Sequence, residues 1–202
     1  MSLGYSHVVL TKGITMKTQK TVDRLAVIGA DYRLWYRDAN KQIRALPWPE
    51  GDVCGVLAIT SPKLHVTTST RATLRLLTDG SRYPGLLHRS YQSALKWLSG
   101  DKTILIGEHA SKSRPKISAF FSALMGSSSA IVIDSWILHA FDLPNARPRV
   151  AEAAHVKRVI ARIADSHGWS PAEAQAAIWA GIVKQSGRNV PTIQLAEEFA
   201  KL

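Results

Sequence analysis

The length, composition and charge of the chain exclude several classes of protein. The 202 residues are 46% hydrophobic and include six tryptophans, so they can bury a core without disulfide staples. A single cysteine, Cys54, excludes an internal disulfide, a multi-cysteine zinc site and a cysteine-ligated iron–sulfur cluster, and predicts a reducing compartment. No apolar run approaches the roughly 20 residues that span a bilayer, and no secretory signal opens the chain. We therefore expect a soluble, cytoplasmic protein.

The net charge of +11 is concentrated in the middle of the chain. Residues 61–120 contain ten basic and three acidic residues, whereas residues 1–60 contain eight and five, and residues 121–202 contain eight and seven. Clustered Lys and Arg side chains release counterions from phosphates, so the pattern favours a polyanionic partner. The alternative is a basic surface without a specific partner.

The N-terminal half predicts helices after a basic leader. Residues 1–20 contain three lysines and no acidic residue, which predicts a flexible leader ahead of a single all-helical domain over 21–202. Apolar residues at helical spacing over 22–45 predict one amphipathic helix or two short ones. The run 52–59 is apolar on nearly every side, which suits a buried helix, with a buried strand as the alternative.

Helix-breaking and helix-capping residues mark the ends of the remaining predicted helices. Asp134 is predicted to cap one of them, and Ser170 with Glu173 forms a capping box for another. Gly168 stands where a helix would end. We expect a compact bundle of about eight to ten helices, with 146–202 as a C-terminal helical subdomain. The predicted spans are 67–77, 88–98, 115–125, 135–141, 150–166 and 171–184.

One constellation suggests a chemistry. Lys116 closes a basic segment, Ser-Lys-Ser-Arg-Pro-Lys, that opens one helix, and Asp134 opens the next. Such an arrangement can hold a phosphate backbone beside a general base. The alternatives are that Asp134 is a helix cap without a catalytic role, and that Lys116 is an ordinary phosphate-binding or solvated lysine.

Four segments, taken in order, resemble the helix-hairpin-helix DNA glycosylase superfamily. They are an apolar helix and turn at 56–63, a Tyr-Gln-Ser-Ala-Leu helix at 91–95, the helix start at 115–117, and Ile-Val-Ile-Asp-Ser-Trp at 131–136. The last is similar to the Val-Asp-Thr-His segment that carries the catalytic Asp of that superfamily. The resemblance covers roughly residues 50–145, and a similarity to phage-encoded relatives extends to about residue 187.

The chain departs from the family pattern in two places. The glycine-rich hairpin turn is replaced by His-Ala-Ser-Lys-Ser-Arg-Pro at 109–115, so phosphate contacts are expected from side chains rather than from backbone N–H groups. Ser135 and Trp136 also follow Asp134 where the family has Thr and His.

The resemblance implies a DNA-binding hydrolase that extracts one base, or modified base, from the stack and cleaves its N-glycosidic bond. It assigns Asp134 as the catalytic carboxylate and Lys116 as an assisting amine, without a cofactor or a metal. Basic and polar residues near the presumed groove are assigned to DNA binding. They are Lys63, Arg71, Lys112, Ser113 and Arg114.

Two other functions are consistent with the sequence. The first is a non-catalytic DNA-binding protein of the same fold. The second is an interaction protein, whose C-terminal helices over 150–184 mediate self-association or dock a protein partner.

Overall fold

The computed structural model describes residues 19–144 and 148–201, and within these ranges the regular structure is entirely helical. The predicted all-helical fold is confirmed there, whereas residues 1–18 of the predicted leader lie outside the described residues. The α-helices in these ranges are α1 (Gln19–Ile28), α2 (Trp35–Arg44), α3 (Glu50–Thr60), α4 (Val66–Asp79), α5 (His88–Leu98), α6 (Glu108–Ser113), α7 (Pro115–Leu124), α8 (Ser135–Ala140), α9 (Val150–His167), α10 (Pro171–Gln185) and α11 (Leu195–Phe199).

Two ambiguous segments of the sequence are settled. The segment 22–45 forms two helices, α1 and α2, separated by the 3₁₀ turn Ala30–Tyr32. The apolar run 52–59 belongs to helix α3, so the strand alternative is wrong. Every residue from Val53 to Thr60 is buried, which explains why the run shows no polar face.

The basic segment before Lys116 is largely helical. Residues 109–113 lie in α6, and Arg114 alone connects α6 to α7. Gly107, at φ 97°, precedes α6, and Glu108 pairs with Lys112 one turn later. Pro115 then starts α7 at a position that needs no backbone N–H. The segment that stands in place of the family's glycine hairpin is therefore a short helix followed by a bend at Arg114.

Helix α10 is the central element of the fold. Ten of its residues are buried, and it packs against α1, α8 and α9 around one hydrophobic core. At the crossing with α1, a Cβ atom on Gly181 would collide with the carbonyl oxygen of Leu25, and one on Gly29 with that of Ala177. The predicted subdomain 146–202 therefore shares its core with α1 and α8.

A second core surrounds α3. Gly55 lets the indole of Trp97 on α5 lie directly against the α3 backbone. Cys54 beside it is fully buried, as expected for a small core residue, and burial raises the pKa of its thiol to about 12. This thiol therefore stays protonated at neutral pH.

Within the described ranges, no helix is long and apolar enough to cross a membrane. The packing brings several elements around one cavity. They are the start of α2, the end of α3 with the turn into α4, the first half of α7, the start of α8, one face of α10 and the segment 188–193.

Candidate functional site

These elements line a partly open cavity of about 260 Å³. Much of its wall is aromatic, and its polar lining includes one carboxylate, one glutamine and three basic side chains. The aromatic residues are Trp35, Tyr36, Phe120, Trp136 and Trp179. The charged residues and the glutamine are Lys63, Lys116, Asp134, Gln175 and Arg188. A flat, apolar ligand with a polar edge would match this lining.

Asp134 caps α8 and also faces the cavity. Its Oδ1 accepts the backbone N–H of Ile137 at 2.8 Å, which confirms the predicted N-cap. The preceding extended segment is anchored by Ala130 and Val132, which pack on Ala123 of α7. Capping and a chemical role are therefore compatible at this residue, because one oxygen is sufficient for the cap.

Asp134 is half-buried in the wall of the cavity. Burial raises its pKa above the ordinary value, and this effect exceeds the opposing effects of the Ile137 N–H and of the positive charge on Lys116. Raised carboxyl pKa values in a cavity are typical of functional sites.

Lys116 lies in the first turn of α7, where Pro115 sets the helix start, and it lines the same cavity. Its charge acts on Asp134, yet no salt bridge joins the two described side chains. A ligand entering between them can therefore contact both the ammonium and the carboxylate.

Tyr36 and Gln175 form a polar pair in the cavity wall that the sequence did not indicate. The Tyr36 hydroxyl on α2 donates to Gln175 Oε1 on α10 at 2.6 Å. Burial, and then the negative charge of Asp134, raise the pKa of Tyr36, so its hydroxyl keeps its proton. Gln175 is 2% exposed and is the polar exception among the alanines of α10, which is the signal that sequence reasoning missed.

The aromatic walls support one another. Trp35 contacts Tyr36 and Trp179 edge to face, with ring centroids 5.2 and 5.5 Å apart. The guanidinium of Arg188 lies 5.3 Å from the Trp136 ring, which places a positive charge beside the aromatic surface.

Of the predicted DNA-binding residues, Lys63 lines the cavity and the others do not. Arg71 donates to Glu198 Oε2 at 2.7 Å and so connects α4 to α11, and together with Lys201 it lowers the pKa of Glu198 to about 2. Its proposed contact with DNA stays a prediction.

The segment 112–114 is exposed and directly precedes α7. Lys112 pairs with Glu108 at 2.5 Å, and the Ser113 hydroxyl donates to the His109 carbonyl. Arg114 donates to Ser93 Oγ at 3.1 Å and borders a second cavity of about 240 Å³. These residues precede Lys116, which lines the first cavity. Their role in phosphate binding stays a prediction.

Lys63 has a left-handed backbone, with φ 64°, which side chains other than glycine rarely adopt. We expect Lys63→Gly to increase the free energy of unfolding by about 1 kcal/mol, since it removes this strain, and yet to weaken DNA binding. Urea unfolding and DNA titrations at several salt concentrations measure the two effects, and the salt slope should fall by about one.

Lys63→Asn is the matched control for this substitution, because Asn tolerates the left-handed region but carries no charge. It should weaken DNA binding as much as Lys63→Gly does. Wild-type affinity in both variants would show that Lys63 does not contact DNA.

Among the residues the structure describes, no group of three His, Cys, Asp or Glu side chains could hold a metal ion.

Residues 20–186 match a protein family described as "Family of unknown function (DUF7178)", which covers well over half of the chain. The chain belongs to this family. The matched DUF7178 segment includes Asp134, Lys116, Tyr36 and Gln175, whereas Arg188 lies just beyond it. Comparison with curated proteins and with solved structures finds no match.

Proposed function

We propose that this protein binds DNA and cleaves the N-glycosidic bond of a base that is extruded into the cavity. The observation that carries the proposal is that the half-buried Asp134 carboxyl, whose pKa is raised by burial, shares an aromatic-lined cavity with Lys116. A base removed from the stack needs an apolar, flat pocket, and a breaking glycosidic bond needs a carboxylate beside the sugar.

The chemistry follows from the charge that develops on the sugar. As the bond to the base weakens, positive charge accumulates at the anomeric carbon, and the ionised Asp134 stabilises it. The raised pKa of Asp134 makes its carboxylate a stronger base, so it can also accept a proton from an attacking water.

Lys116 supplies a second route. Once its ammonium has given a proton to the Asp134 carboxylate, the Lys116 amine can attack the anomeric carbon, and the base leaves with the electrons of the broken bond and takes up that proton. The attached nitrogen then loses a second proton, the bond from the anomeric carbon to the ring oxygen breaks, and that oxygen takes up the proton, which leaves an iminium link between Lys116 and the DNA. This route would be followed by strand cleavage, whereas activation of water would leave an abasic site.

The surroundings of the cavity agree with a nucleic-acid substrate. The exposed side chains of Lys63 and Arg188 line the cavity, and the exposed segment 112–114 precedes Lys116. These charges suit phosphates on either side of an extruded nucleotide. The order of α6, the bend at Arg114, α7 and then the Asp134 cap supports the finer proposal that the fold is of the helix-hairpin-helix glycosylase type.

The direct test is incubation of the full chain with duplexes that each contain one modified or mispaired base. We expect abasic sites, or strand breaks, with at least one duplex, detected by alkaline cleavage and gel electrophoresis. If Lys116 acts as the nucleophile, borohydride should trap a covalent complex in the wild type and not in the matched control Lys116→Arg, which keeps the charge but does not form the iminium.

Salt-sensitive DNA binding without any product from a broad panel would instead favour the non-catalytic alternative. The self-association alternative requires apolar surface on the C-terminal helices. Val150 on α9 is exposed, but most apolar residues of α10 are buried inside the chain, so the structure favours the cavity as the functional feature.

A further inference from the structure

Gln175 is a buried amide that makes one hydrogen bond to the described residues. The side chain is 2% exposed and lines the cavity, and its Oε1 accepts the Tyr36 hydroxyl. Its Nε2 donates to none of the described residues. Among the described residues, Trp97 Nε1 is the only fully buried side-chain nitrogen or oxygen without a partner, so the unpaired Gln175 Nε2 keeps some access to its surroundings. Since Gln175 lines the cavity, its two N–H donors are available to a ligand that supplies an acceptor.

The polarity of this amide is fixed by its neighbour. The Tyr36 hydroxyl has one proton, and it is directed to Gln175 Oε1. Because Tyr36 keeps its proton and directs it to Gln175, the amide oxygen is the acceptor of this pair, and the NH₂ group has no partner among the described residues.

Trp179 lies one helical turn after Gln175 and is partly exposed to the same cavity. Its contact with Trp35 restrains the indole. The same face of α10 therefore offers an aromatic surface for stacking and, beside it, two hydrogen-bond donors for the edge of a stacked ring.

We propose that Gln175 selects the base: its amide donates to a ring carbonyl, so the cavity prefers bases that carry an oxo group at that edge over bases that carry an amino group. The inference deepens the proposed function and rests on it for its biological meaning. An amino group at the same position would point its own N–H bonds at the Gln175 donors, which leaves both sides unpaired.

Two pairs of free bases test this preference without requiring catalysis. Uracil and cytosine differ in having an oxo or an amino group at one ring position, with a protonated or an unprotonated ring nitrogen beside it, and hypoxanthine and adenine differ in the same way. Trp35, Trp136 and Trp179 line the cavity, so quenching of tryptophan fluorescence reports the occupation of the site by each base. We expect the wild type to bind the oxo member of each pair about tenfold more tightly.

Substitutions at position 175 should change the preference in a defined way. Gln175→Glu replaces the donors by acceptors and should reverse the preference, and Gln175→Met, of similar size, should abolish it. Gln185→Glu is the matched control, because it introduces the same charge at an exposed position of the same helix and should leave the preference unchanged.

An absence of quenching by all four bases, equal binding of the paired bases by the wild type, or a preference that survives in Gln175→Met would overturn the inference. The outcome is separable from the proposed function. Selective binding without base release from DNA would leave a base-binding site that lacks the proposed chemistry, whereas base release without selectivity would remove the role of Gln175 alone.

Discussion

The Asp134→Asn variant is expected to lose base release by a factor of about 10²–10⁴ while folding at least as stably as the wild type. Asn carries no negative charge, so it neither stabilises the developing positive charge nor accepts a proton. Its side-chain oxygen still accepts the Ile137 N–H, so the cap of α8 is kept. Single-turnover base release and urea unfolding measure the two quantities.

The pH dependence of both quantities follows from the raised pKa of Asp134. The native state holds the proton more tightly than the unfolded chain, whose Asp pKa is about 3.9. Ionisation of Asp134 therefore lowers the stability of the wild type as the pH rises through the native pKa. Asp134→Asn removes this loss, so its stability advantage should be present at neutral pH and vanish as the pH falls to about 4.

Base release by the wild type should show the opposite trend, because it needs the ionised carboxylate. The rate of base release should fall on acidification, and the midpoint of this fall should lie above the pKa of an ordinary Asp. Asp101→Asn is the matched control, since Asp101 also caps a helical turn through its side chain but does not line the first cavity. Retained activity in Asp134→Asn, or an equal loss in Asp101→Asn, would contradict the proposed mechanism.

Gly181→Ala is expected to lower the free energy of unfolding by about 3 kcal/mol. An alanine inside a helix ordinarily stabilises it relative to glycine, but here the added methyl group would meet the Leu25 carbonyl of α1. The backbone cannot yield without separating α1 from α10. The midpoint of urea unfolding measures the change.

Gly51→Ala is the matched control for the helix crossing. Gly51 lies in α3, and a Cβ added there would have no neighbour within 4 Å. This variant should gain about 0.5–1 kcal/mol. If both variants shifted the midpoint in the same direction and by the same amount, the close approach of α1 and α10 would be refuted.

The sequence predicted most of the fold because its local signals are strong. Ser170 and Glu173 form the expected capping box, and Gly168 ends α9 in the left-handed conformation. The short helices α6 and α11 were missed, since five or six residues show little periodicity. Contacts that are remote in sequence support α11, above all the pair of Arg71 with Glu198, 127 positions later.

The candidate site was predictable in part for the same reason. Asp134 and Lys116 were found because each lies at a helix start that the sequence reveals, and the structure brings them to one cavity. Tyr36 and Gln175 are 139 positions apart, and each alone is an ordinary residue of an amphipathic or an alanine-rich helix. Their pairing depends on how α2 packs against α10, which local pattern does not encode.

The buried, protonated Cys54 has a practical consequence for trapping a complex with DNA. It is the sole cysteine of the chain, and a neutral thiol without solvent access reacts slowly with maleimides and disulfides. A second cysteine placed at an exposed position would therefore be modified selectively. Position 112, beside the bend before α7, would allow disulfide tethering to an oligonucleotide that carries a thiol on its phosphate backbone.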